Sequence, residues 1–157
     1  MKKLMLLISH SAMLLVGFAL GVYALPILIQ PESPDQQSVA SVQQSAMFSG
    51  QFSKERADSD FLHWGEGEIS VSQGMVAFEG ELAPGPDYKL YLSPTYIETE
   101  ADFATHKDSM VNIGDVKTFD RFTLEVPSSV DVTQYSSVII WCETFGEYIT
   151  STQYQKI

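Results

Sequence analysis

Ser136-Ser137-Val138-Ile139-Ile140-Trp141-Cys142-Glu143-Thr144-Phe145-Gly146 is the stretch on which the reading of this chain turns. Val138 to Cys142 is an unbroken apolar run bounded by serines and a glycine, the pattern of a strand buried on both faces. Side chains alternate along a strand, so Val138, Ile140 and Cys142 share one face, and Ile139 and Trp141 the other. The chain's single cysteine thus ends its most apolar strand.

Around this strand the sequence predicts others at short spacing. Glu68 to Ser72 alternates, Gln73-Gly74 turns the chain, and Met75 to Glu79 returns, a hairpin with glycine at a tip where positive φ is expected. Ala83-Pro84-Gly85-Pro86-Asp87 is a turn, in which Asp87 is expected to accept hydrogen bonds from backbone N–H groups further on. It leads into Tyr88 to Leu92, which Ser93-Pro94 closes. Next come an acidic loop from Glu98 to Asp108 and a strand at Val111 to Val116. Arg121 to Val126 points Phe122, Leu124 and Val126 inward, Val132 to Tyr135 is a connector, and Glu147 to Thr152 pairs beside the central strand. No long stretch of the body carries a 3.6-residue apolar period. The fold class is all-β: residues 47–157 form an antiparallel β-sandwich or related barrel with 138–142 central.

The first thirty residues differ in kind. Leu4 to Ile29 contains no charged residue. About 20 apolar residues span a bilayer core as a helix, so this run suffices for an anchor over residues 1–30, with 4–29 in the membrane. A cleaved secretory signal, cut after Val22-Tyr23-Ala24, is the alternative, but Leu25 to Ile29 prolongs the apolar run beyond that site. Lys2 and Lys3 set the amino terminus in the cytoplasm and the body on the extracytoplasmic, periplasmic side. Gly17 and Gly21 form a GxxxG pattern, an opening for a weak homodimer, although such glycines are also simply tolerated in membrane helices. Residues 31–46, polar and proline-bearing at the start, are expected to be a linker that lifts the domain off the membrane, with a short helical turn over Val39 to Ala46 as the alternative to plain spacer.

The formal net charge is −11. All 20 Asp and Glu lie at or after Glu32; without Lys2 and Lys3, seven of the nine Lys and Arg remain, so the body carries −13. Such a domain repels phosphate backbones, which excludes nucleic acid as a natural partner. One cysteine excludes an intrachain disulfide and every CxxC pattern. No hydrolase, transferase or nucleotide-binding signature is present, and no cofactor is indicated. Asp58, Asp60, Glu66 and Glu68 lack calcium-loop spacing, and His63 and His106 lack a matching carboxylate pattern, so no metal site is expected. Tyr88, Tyr91 and Tyr96 read as sheet-packing aromatics.

Together these motifs resemble the electron-transfer DM13 domain. Gly85-Pro86-Asp87 followed by Tyr91-Leu92-Ser93, and then Ser137-Val138 with Ile140-Trp141-Cys142 and Phe145, carry the likeness. Gly67 to Val71 and the glycine-bearing strand ending at Val116 extend it, so that it covers about Phe48 to Tyr154. Bacterial members share this plan of one anchor helix and one extracytoplasmic domain, whereas larger animal and plant proteins carry the domain beside DOMON and b-type cytochrome modules. The resemblance implies a redox or electron-transfer role at the family's cysteine, here Cys142, with Pro86, Asp87 and Trp141 as motif residues and a redox or membrane protein as partner. The segment after Cys142, Phe145 to Ser151, is more polar than the phenylalanine-glycine-alanine-rich strand of the family. The residues themselves leave a second reading open: a non-catalytic extracytoplasmic binding or interaction domain in which Cys142 is a buried structural residue. An apolar setting and a neighbouring carboxylate both disfavour a thiolate, unless the fold brings Arg121, His63 or a cofactor to it.

Retention of the anchor is directly checkable. Amino-terminal sequencing of the membrane-extracted protein is expected to find the chain intact through residues 4–29; a mature terminus at Leu25 would establish cleavage instead.

Overall fold

The computed structural model describes residues 1–156. A long apolar helix, α1 (Lys2–Ile29), precedes a short helix, α2 (Gln36–Gln44), and eight strands follow: β1 (Phe48–Phe52), β2 (Gly65–Val71), β3 (Met75–Leu82), β4 (Tyr88–Ser93), β5 (Val111–Val116), β6 (Arg121–Glu125), β7 (Ser137–Cys142) and β8 (Glu147–Gln153). Between β4 and β5 lies α3 (Glu100–His106). The strands form two four-stranded antiparallel sheets, ordered β1-β2-β3-β6 and β5-β4-β7-β8. This is the expected sandwich, with β7 internal to its sheet.

All six residues of β7 are buried. Val138, Ile140 and Cys142 face the inter-sheet core with Ile69, Phe78, Leu90 and Phe122. Ile139 and Trp141 face the other way, under Phe103 of α3 and beside Tyr91, Ile97 and Tyr148. Two-sided burial is why this strand shows no polar alternation. The acidic segment expected as a loop is therefore partly helical. Thr99 caps α3 by accepting the Asp102 N–H at 3.0 Å, and Glu100 and Asp102 sit in the positive first turn.

Two further features differ from the sequence expectation. Gly74 is not among the glycines with positive φ, which are Gly67, Gly114 and Gly146. Ser72 closes that hairpin instead: its N–H and hydroxyl both donate to the Met75 carbonyl, at 2.8 and 2.9 Å. The stretch expected as a linker also contains α2, whose N-cap Asp35 accepts the Ser38 N–H at 2.7 Å. Val39 and Val42 of that helix are buried against Ala77 of β3, covering the outer face of the first sheet. A valine pair spaced three apart gave a narrow apolar stripe, enough for one docked helix face.

What remains between α1 and α2 is short and held. Ser33 donates to the Asp120 carboxylate, and Gln30 and Pro31 line a cleft with Trp64, Leu82, Pro84 and Phe119. The turns 53–64, 83–87, 117–120 and 143–146 all lie at this end of the sandwich, where Tyr88 pairs with both Val116 and Cys142. α1 itself is long and apolar enough to cross a membrane.

Docking of α2 is expected to be measurable. Val39→Ala removes two buried methyl groups and leaves a void, a loss of about 2 kcal/mol. Urea unfolding followed by tryptophan fluorescence should show a lower midpoint; an unchanged midpoint would mean that α2 contributes no packing.

Candidate functional site

Cys142 closes β7 directly opposite Tyr88, the first residue of β4. That register brings the turn before β4 against the turn after β7. The Cys142 thiol donates to the Pro86 carbonyl at 3.1 Å. The Glu143 N–H donates to the Asp87 carbonyl at 3.1 Å, and the Thr144 hydroxyl to the Asp87 carboxylate at 2.9 Å. Gly146, with φ +71°, bends the chain so that its N–H reaches back to the Cys142 carbonyl at 2.9 Å. The two motif segments, far apart in sequence, are thus stitched into one unit.

Asp87 itself has φ +55°, the only non-glycine residue with positive φ among those described. Aspartate tolerates this left-handed conformation better than most residues. Its carboxylate does not bond to backbone N–H groups as expected from the sequence. It pairs with Lys89 at 3.0 Å and accepts from Thr144, while Lys89 also bonds Asp115 at 2.7 Å. Lys89, and after it Thr144, hold the Asp87 carboxyl below the usual carboxylate range. The same lysine lowers Asp115. The ammonium of Lys89, held between two carboxylates, is raised well above its ordinary value.

Cys142 is 2% exposed. Burial pushes it above its ordinary value, and the charges of Asp87 and Glu147 add to the effect; N–H groups of Phe145 and Thr144 act in the opposite sense. Neither basic side chain considered from the sequence attends it: His63 turns to Asp60 at 3.2 Å, and Arg121 to Asp120 at 3.4 Å. In this state the Cys142 thiol donates a hydrogen bond, and its burial disfavours the thiolate.

Trp141 points to the other face of the sheet. Its ring stacks on Phe103 at 3.8 Å between centroids and 5° between planes, and Phe103 meets Tyr91 edge-on at 5.3 Å. The Tyr91 hydroxyl donates to the Glu143 carboxylate, which also pairs with Lys107 at 3.1 Å. Burial, then the bond to Glu143, raises Tyr91 to about 12. Trp141 thus packs on the opposite face of β7 from its neighbour Cys142.

Three of the four acids weighed for calcium are engaged separately. Asp58 accepts the Glu100 N–H at 2.7 Å, Asp60 accepts the N–H groups of Leu62 and His63 at 2.7 Å, and Glu66 pairs with Lys54 at 3.0 Å. Among the described residues, no group of three or more His, Cys, Asp or Glu side chains is arranged to hold a metal.

With both motif segments joined around Cys142, comparison with known families becomes decisive. The model of the family described as electron transfer DM13 matches residues 51–154. The chain belongs to the DM13 family. No curated protein and no solved structure matches it. Sequence reading of this DM13 domain missed Lys89, Thr144 and Asp115. Thr144, two residues past Cys142, carried no signal of its own, because its partner lies across a strand pairing that spacing does not encode. For Lys89 and Asp115 a signal did exist: opposite charges on two adjacent alternating strands mark a cross-strand pair.

Substitution at Asp87 separates its backbone and charge roles. Asp87→Ala is expected to cost about 1–2 kcal/mol, since alanine resists the left-handed conformation and the side-chain bonds are lost. Asp87→Asn, which tolerates that conformation, should cost less. The folded carboxyl lies below its unfolded value of about 3.9, so its contribution is intact above that pH and drains as pH falls through the folded value. Unfolding midpoints measured between about pH 5 and 2 should therefore fall more gently in Asp87→Asn than in the parent. Parallel acid limbs would mean that Asp87 has no linked role.

Proposed function

We propose that this chain is a membrane-tethered, extracytoplasmic DM13 module with a redox role centred on Cys142. The observation that carries the reading is the convergence of Pro86-Asp87 and Cys142 at one end of the sandwich, within a chain that belongs to a family described by electron transfer. Supporting it are the single apolar helix long enough to anchor the domain and the two lysines that precede it.

On this reading the Pro86–Cys142 hydrogen bond is a lock. The thiol gives up its proton only when the 83–87 turn moves away and water reaches the sulfur, which removes the burial that raises it. The exposed thiolate then attacks an oxidant such as hydrogen peroxide. The sulfur electron pair forms the S–O bond, the O–O bond breaks, hydroxide leaves, and the sulfenic acid is later returned to the thiol by a thiol reductant.

A second reading is favoured by the 2% exposure of Cys142 and its raised thiol: the residue is a structural pin that joins two turns, and the domain works by binding.

Chemical labelling divides the two. The redox reading expects the folded, full-length protein to react with DTNB faster than it unfolds globally, and to form a dimedone-trapped sulfenic acid after hydrogen peroxide that a thiol reductant reverses. Cys142→Ser should abolish both signals. Labelling only at the rate of global unfolding, with no sulfenic acid, would overturn the redox role and leave the pin.

A further inference from the structure

The end of the sandwich that carries Cys142 also meets α1. A groove of about 870 Å³ runs between them, within the range of about 300–1,000 Å³ typical of small-molecule sites. One wall is Phe18, Gly21, Val22, Leu25, Pro26 and Ile29. These residues recur every three to four positions, so they form a single stripe along α1. Pro86, Val116, Phe119 and Phe145 supply apolar surface from the domain side. Phe145, at the tip of the turn after β7, is 48% exposed.

Helix length fixes the level of this groove relative to a bilayer. α1 has 28 residues, or about 42 Å at 1.5 Å per residue, against a hydrocarbon core of about 30 Å. With Lys2 and Lys3 at one headgroup layer, the last two turns emerge from the core at the other. The groove-lining stripe spans that exit, its Phe18 end in hydrocarbon and its Ile29 end among headgroups. The hold on Asp120 keeps the domain there, because the chain from Ile29 to Ser33 reaches at most about 14 Å.

The charged residues of the lining are Asp87, Lys89, Asp115 and Lys117, two of each sign. They pair among themselves, Lys89 with Asp87 and Asp115 at 3.0 and 2.7 Å, and Lys117 with Asp115 at 3.7 Å. A lining without net charge suits a zwitterionic headgroup, while the −13 of the body disfavours an anionic one.

We propose that this groove is a lipid site, taking the acyl chain of a zwitterionic phospholipid from the adjoining leaflet and seating the Cys142 end of the sandwich on the bilayer. The proposal rests on the anchored reading of α1, and continuity argues for it: the helix stripe that lines the groove is part of a surface that faces lipid below it. Pro86, whose carbonyl holds the Cys142 thiol, lines the groove from the domain side, so lipid there contacts the turn that covers the sulfur.

Photocrosslinking in the full-length protein tests this. The photoreactive residue p-benzoylphenylalanine is placed at position 145, at position 14 within α1, or at position 73 at the opposite end of the sandwich. Each protein is reconstituted in phosphatidylcholine vesicles, irradiated and weighed by mass spectrometry. Phosphatidylcholine adducts at positions 14 and 145 and none at 73 are expected. A lipid adduct at 14 with none at 145 would overturn the lipid site and leave the anchor intact. No lipid adduct at 14 would overturn the anchor, and the proposal with it. Crosslinking of position 145 to a second copy would overturn the lipid site in favour of a helix dimer across Gly21. Because position 145 is a half-exposed turn residue already aromatic, the replacement is compatible with folding; Val116→Ser, inside the groove, should independently reduce the yield of adduct at 145.

Discussion

Burial of β7 on both faces is the constraint from which the rest of the structure follows. A strand with six buried residues in a sheet needs cover on each side, and one domain of this size has limited means to supply it. The facing sheet covers Val138, Ile140 and Cys142. The outer side needs a separate element, and α3 provides it by laying Phe103 flat on Trp141. Remove that cover and Ile139, Trp141 and Tyr148 form a contiguous apolar patch on the sheet exterior.

The same logic explains the opposite face. In the first sheet Ala77 and Met75 turn outward from the core, and α2 covers them with Val39 and Val42. The domain is thus a sandwich with a small helix on each outer side. Both helices are short, fewer than ten residues, and neither would persist alone. Each exists because an outward-facing apolar position needs a partner.

Legibility in the sequence followed sequence distance. The alternation at 68–72, 75–79 and 121–126, and the faces of 138–142, are local patterns, and the strands match them. The two helices were harder, because each buries only one or two residues and polar composition dominates. Cap chemistry was there to be read: Thr99 before Glu100-Ala101-Asp102, and Asp35 before Gln36-Gln37-Ser38. The left-handed Asp87 was not readable, since aspartate in a proline turn fits several turn types. Nor was the hydrogen bond from Cys142 to Pro86, which depends on the register that sets Tyr88 opposite Cys142.

The hold of Ser33 on Asp120 and the docking of α2 leave almost no free chain between α1 and the sheets. An anchored domain on a long flexible tether sweeps a wide hemisphere and finds partners by local search. Here the connection is short, so that wherever α1 spans a membrane the domain follows the orientation of that helix. Residues inserted between Ile29 and Ser33 would loosen that coupling and leave the Ser33 hold, the Asp35 cap and the sheets in place.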